Sequence, residues 1–98
     1  MPIARILFPL PLPEPFDYAV PEGLDVQEGA YVAAPLGKYQ RTGVVLEILP
    51  DSAGEGRKLK FVSEVYPTPS MSRPMREFIQ WAARYTVSHP GHVLGMAL

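Results

Sequence analysis

The sequence has no cysteine, and its histidines are limited to two, His89 and His92. The first absence excludes a disulfide framework and a thiolate zinc site. The second leaves too few imidazoles for an all-histidine metal centre. Pro90 and Gly91, which lie between the histidines, read as the turn that opens a helix rather than part of a ligand set. No apolar run approaches the roughly 18 residues that a membrane helix needs. The N-terminus carries one early base, Arg5, followed by prolines, so it does not read as a signal peptide. An excess of one charge is also missing: the formal net charge is −1, which argues against a broad nucleic-acid-coating surface. There is no G-x-x-x-x-G-K-[ST] or G-x-G-x-x-G phosphate loop, and no carboxylate pair at a spacing that calls for general acid–base work. An enzyme reading therefore has little to stand on. With 98 residues the chain allows one small domain. The lack of cysteine fits a reducing cytoplasm.

Apolar residues make up 47% of the chain, enough for a real core, and 12 prolines and 8 glycines punctuate it. Short apolar or alternating runs lie over residues 3–8, 16–20, 31–34, 42–49 and 60–66. They are bounded by Pro9, Pro15, Pro21, Gly29 and Pro35, as strands are. Beyond residue 67 the period changes. Ser72 can cap a helix whose first turn tolerates Pro74, and Met75, Phe78, Ile79, Ala82 and Tyr85 form an apolar stripe. A second short helix is expected from Ser88 or His89, with Val93, Leu94 and Ala97 on one side. The fold class is mainly β with C-terminal helices. A small antiparallel, barrel-like (OB-like) part spans about residues 1–67, and two helices span about residues 72–98, all in a single domain. The apolar end at Leu98 suggests a piece of a longer protein.

The bases are concentrated in the middle of the chain, at Lys38, Arg41, Arg57, Lys58 and Lys60. The plain reading is a solvated hairpin face; the sharper one is a small rim that contacts anions. In Phe16-Asp17-Tyr18 the two aromatics share one strand face and the acid takes the other. If the aromatics are core, Asp17 projects outward at the end of the proline-rich segment 9–15. In Pro35-Leu36-Gly37-Lys38 the glycine permits close approach of a backbone or ligand, and the lysine offers a cation. Gly43 is a candidate β-bulge. The polar stretch 51–56 reads as a mobile hairpin tip.

These motifs, in order and at similar spacing over nearly the whole chain, resemble one family. The set comprises the prolines leading into Pro15-Phe16-Asp17-Tyr18, then Pro21-Glu22-Gly23, residues 32–38 and Gly43-Val44-Val45. It continues with Ile79-Gln80-Trp81-Ala82-Ala83-Arg84-Tyr85-Thr86 and Gly91-His92-Val93-Leu94. The resemblance is to the N-terminal, 3′-DNA-end-binding domain of the PriA replication-restart helicases (primosomal protein N′). It implies a domain that is not itself an enzyme and has no cofactor of its own. It also implies a downstream ATP-driven 3′–5′ helicase motor and a cysteine-rich zinc region beyond Leu98. DNA with a forked or single-stranded 3′ end is the implied partner, with other primosome proteins and single-stranded-DNA-binding protein reached through the full-length chain. The implied setting is the bacterial cytoplasm, at the nucleoid. By position, the residues lining the terminal-nucleotide pocket fall on Phe16, Asp17, Gly37 and Lys60, with Tyr18 and Lys38 as further candidates. Lys58 also precedes Phe61 and competes with Lys60 for its place. The chain departs from the family where Tyr39-Gln40-Arg41 replaces a more basic run.

The chemistry suits recognition of a 3′ end of any sequence, which restart at stalled or repaired forks would require. Aromatic stacking accepts every base. A carboxylate is a poor partner for phosphate but a good acceptor for a hydroxyl or a base N–H. A rival reading is a protein-interaction module that offers the proline-rich segment 9–15 to an aromatic groove.

Overall fold

The structure, a computed structural model, describes residues 1–10, 14–86 and 94, and only the backbone of 82–86. The turn punctuation separates β1 (Ile3–Leu7), β2 (Phe16–Ala19), β3 (Tyr31–Leu36), β4 (Tyr39–Leu49) and β5 (Glu64–Val65). They form one antiparallel sheet in the order β2-β1-β4-β3-β5. Alternation along the strands gives the sheet two apolar faces. The inner face buries Ile6, Phe8, Tyr18, Val32, Val45 and Val62. The outer face, at Leu7 and Val44, receives Met71, Ile79 and Leu94. Ile79 belongs to the helix α1 (Arg73–Thr86), so α1 is the second layer.

The strand expected over 60–66 is divided between two neighbours. The Ala19 amide donates to the Lys60 carbonyl (2.9 Å) and the Val62 amide to the Ala19 carbonyl (3.0 Å). Further on, the Ser63 and Tyr66 amides donate to Ala33 and Tyr31. Only Glu64–Val65 therefore ladders as a strand on β3, while Phe61 forms a lone parallel bridge to Ala19 on the opposite edge. The sheet stays open, and this segment draws its two edges together into the expected barrel-like form.

β4 begins earlier than the branched run 42–49 suggests. Gly37 and Lys38 form a two-residue turn, with Gly37 at φ +62 as the primed hairpin turns require, and Leu36 pairs with Tyr39. The bulge lies at Leu46, not Gly43. The β1–β4 register passes from Arg5↔Glu47 to Ile6↔Val45, leaving Leu46 as the extra residue.

The stretch expected to be a mobile tip instead packs on β1. Asp51–Gly54 forms a 3-10 turn. Asp51 pairs with the terminal ammonium at 2.9 Å, and a Cβ at Gly54 would lie 2.7 Å from Ile3 Cδ1.

Ser72 caps α1, its Oγ accepting from the Met75 amide at 3.3 Å. The apolar stripe does not face inward as a whole. Ile79 is buried, but Met75 and Phe78 are exposed, and Arg76 takes the other inward place. Its NH1 donates to the Met71 carbonyl (2.6 Å), and its NH2 lies 3.7 Å from Glu28. A buried guanidinium is tolerated because these acceptors meet it. The side chains of Ala82 and Tyr85, the second helix expected near residues 88–98 (Leu94 excepted), His89, His92 and residues 11–13 of the proline run lie outside the described residues.

Candidate functional site

At one end of the barrel the N-terminal end of β2, the β3–β4 turn and the segment 58–60 surround a hollow of about 260 Å³. Its walls include Phe16, Asp17, Tyr18, Gly37, Lys58 and Lys60. Residues far apart in sequence meet here because β2 begins on the side of the antiparallel sheet where β3 ends, and the crossing segment runs between them. Lys38, exposed at the second position of the turn, lies outside the walls. Lys58 and Lys60 both line the hollow.

Each wall has a distinct character. Phe16 is 39% exposed, its ring leaning on that of Phe8 with centroids 6.2 Å apart. It offers a stacking surface at the rim. Tyr18, on the same strand face, is 4% exposed and belongs to the core. Its hydroxyl donates to the Pro35 carbonyl at 2.6 Å, tying β2 to the turn. Burial raises the Tyr18 pKa. Gly37 has open space where a Cβ would stand, so the turn presents bare backbone.

Asp17 does not project freely outward. Its side chain is 8% exposed and is held from both sides. Arg5 Nε donates to Oδ1 and Arg57 NH1 to Oδ2, each at 3.0 Å. Arg5 NH1 also reaches Glu47 at 2.8 Å, and Arg57 NH1 reaches the Ala53 carbonyl at 3.2 Å. Burial is the largest single influence on the Asp17 carboxyl and pushes its pKa up. The hydrogen bonds and charges of Arg5 and Arg57 together outweigh it and leave the pKa below the ordinary carboxylate value. The hydrogen bond to Asp17 in turn raises the Arg5 pKa. A carboxylate has about four lone-pair sites, so Asp17 can still accept a further donor. Sequence reasoning missed both arginines. Arg5 was findable, because a β1–β2 hairpin in the observed register sets it opposite Asp17.

The charge pattern separates two sides of the molecule. A larger cleft of about 1030 Å³ lies between the sheet and α1, with Arg5, Arg57, Arg73 and Arg76 among its walls. Each of these is paired with a carboxylate. Among the described residues, Lys38, Arg41, Lys58 and Lys60 carry no ion pair. Lys58 and Lys60 line the small hollow and the other two stand on the hairpin beside it. The free positive charge therefore collects at the barrel mouth.

Residues 5–98 match the family model of the 3′DNA-binding domain (3′BD). The chain belongs to this family. Its whole length aligns with the replication restart protein PriA of Rickettsia conorii at 31% identity and of Haemophilus influenzae at 32%. Over 99% of its length it aligns with that of Synechocystis at 34%. The chain spans 15%, 14% and 12% of those relatives respectively. The family that the sequence motifs resemble is thus the family to which the chain belongs.

Proposed function

We propose that the domain binds the 3′ end of a DNA strand in the hollow at the barrel mouth, without base preference. In the full-length protein it would direct a replication-restart helicase to stalled or repaired forks. The observation that carries this is the meeting of Phe16, Asp17, Gly37 and Lys60 in one small hollow bordered by the unpaired cations. The terminal base stacks on the Phe16 ring, which accepts any base. The bare backbone at Gly37 lets the sugar approach. Lys58 and Lys60 meet the 5′-side phosphate. Asp17, held in place by its arginines, accepts from the 3′-hydroxyl or a base N–H. The wider role rests on membership of the family and on the PriA relatives, of which this chain corresponds to a small part. That role includes an ATP-driven motor elsewhere in the full-length protein, primosome partners, single-stranded-DNA-binding protein and a bacterial cytoplasmic setting.

The test is an anisotropy titration with short oligonucleotides that differ only at the 3′ terminus. A free 3′-hydroxyl is expected to bind about tenfold tighter than a 3′-phosphate, the scale of one lost charge-assisted hydrogen bond. The phosphate is acceptor-rich toward Asp17 and adds bulk to a hollow of about 260 Å³. Charge repulsion contributes less than an isolated carboxylate would, because Arg5 and Arg57 neutralise Asp17. The four terminal bases should bind within a few-fold of each other. Equal binding of the two ends, or a strong preference for one base, would overturn the reading.

Salt dependence gives a second measurement. One or two phosphates neutralised predict a log–log slope of roughly −0.7 to −1.4 on single-stranded DNA. A slope several times steeper would mean a wide basic contact surface.

A further inference from the structure

Beside the hollow, Tyr39 and Arg41 form a pair that the terminal-nucleotide reading does not use. From residue 39 to 45 the odd positions of β4 face the barrel interior. Val45 is in the core, and a Cβ at Gly43 would strike Ile6 and Phe8. β4 runs beyond the end of β1, whose last paired residue, Leu7, stands opposite Val44. At Arg41 and Tyr39 this inner face therefore emerges into solvent. Tyr39 is 65% exposed, unusual for a tyrosine on a face that is core a few residues away. Arg41 lies over its ring, with Cζ 5.2 Å from the centroid, and no carboxylate pairs with Arg41 among the described residues. Tyr39 is the cross-strand partner of Leu36, itself a wall of the hollow.

We propose that Tyr39 and Arg41 form a second nucleotide subsite, taking the penultimate nucleotide of the bound strand. This rests on the reading of the hollow as the 3′-terminal pocket. The Tyr39 ring is an exposed platform of the kind on which a base or sugar stacks whatever the sequence. Arg41 adds a planar cation that carries five donors and is free to meet the next phosphate, on the 5′ side of the penultimate nucleotide. The cation–π contact pre-orients both groups before DNA arrives. Across the Leu36–Tyr39 pair the two subsites adjoin, with side chains directly opposite in a sheet about 4.5–5.5 Å apart.

The experiment uses thymidine 5′-monophosphate, dT2 and dT4 with free 3′-hydroxyls, followed by chemical-shift titration of the labelled domain. Wild type is compared with Tyr39→Ala, Tyr39→Phe and Arg41→Gln. Tyr39→Ala is expected to bind dT2 and dT4 about tenfold more weakly, within the range for one base stacked on an aromatic ring. It should bind the mononucleotide as wild type does. Tyr39→Phe should retain binding. Arg41→Gln should make the log–log salt slope for dT4 about 0.7 shallower, one phosphate contact. Both side chains are exposed, so the melting temperature should not move. Unchanged dT2 affinity in Tyr39→Ala overturns the subsite, as does an equal loss for the mononucleotide or no binding of dT2 by wild type. The terminal pocket is judged separately, by the wild-type comparison of 3′-hydroxyl and 3′-phosphate ends. That comparison can fail while Tyr39→Ala still weakens dT2, or succeed while Tyr39→Ala changes nothing.

Discussion

Gly43→Ala is expected to lower the melting temperature by roughly 10–20 °C, the equivalent of about 2–3 kcal/mol in a domain of this size. Gly43 lies on β4 facing the inner core. A Cβ there would stand 2.6 Å from Ile6 Cγ2, 2.9 Å from the Leu7 carbonyl oxygen and 3.1 Å from Phe8 Cδ1. Ile6 could turn to another rotamer, but the Leu7 oxygen is backbone. Moving it disturbs the ladder in which Leu7 pairs with Val44 and Ile6 with Val45. The Phe8 ring supports both Phe16 and Tyr18, so the strain spreads toward the binding hollow. The contrast is Gly37→Ala. No atom lies within 4 Å of the position a Cβ would take there, and the strain is the positive φ alone, about 1–2 kcal/mol. That variant should melt closer to wild type and lose DNA binding instead. Thermal unfolding followed by circular dichroism checks both. A Gly43→Ala protein that melts within a few degrees of wild type would mean that β1 and β4 part more easily than their packing implies.

Asp17→Asn is expected to act on stability and binding together. Asp17 is enclosed by Arg5 and Arg57, so removing its charge leaves two guanidinium groups without their shared partner. Both arginines are partly exposed, and water will resolvate them, which limits the loss. A cost of about 1–2 kcal/mol is expected, or roughly 5–15 °C in melting temperature. The effect should depend on pH. The folded-state pKa of Asp17 is below its ordinary value. Its stabilisation is therefore fully present above the unfolded value of about 3.9 and is lost as pH falls through the folded one. Urea melts of wild type and Asp17→Asn should differ at neutral pH and converge in acid. A difference that persists unchanged in acid would show that the charge is not its source. DNA binding should weaken at least as much as in Arg5→Gln, which keeps the carboxylate but removes one of the two guanidinium groups that hold it.

Much of this was legible in the chain. Pro9, Pro15, Pro21 and Gly29 bound the strands, because proline cannot donate to a ladder and glycine admits the turns, whereas Pro35, expected to end the third strand, lies inside β3 opposite Gln40. Ser72 before Pro74 marked the start of α1 by the chemistry of an N-cap. The residues of the hollow were legible only through ordered resemblance to a family, since no single motif in them is specific. Other readings failed where local pattern was silent about distant contacts. The stripe Met75, Phe78, Ile79 described a helix correctly but not which way it faces. Arg76 points inward because Met71 and Glu28 offer it acceptors, and neither lies within the helix. The stretch 51–56 looked mobile because it is polar, yet Asp51 and Gly54 meet β1.

By itself, then, the sequence determined a mostly β fold with helical structure toward its C-terminal end. It also determined that the domain lacks metal-binding cysteines and a phosphate loop, and that its bases cluster in the middle third. These are properties of composition and short-range period, which each stretch of chain carries alone. Only the tertiary structure decided which of those bases are free. Arg57 is consumed by Asp17, while Lys58 and Lys60, next to it in sequence, turn into the hollow. It also decided that Asp17 is a held acceptor rather than an exposed charge. The physical reason is register. Arg5 stands opposite Asp17 on one side and Glu47 on the other because β1 lies between β2 and β4. Strand order and offset are long-range choices that no local pattern encodes.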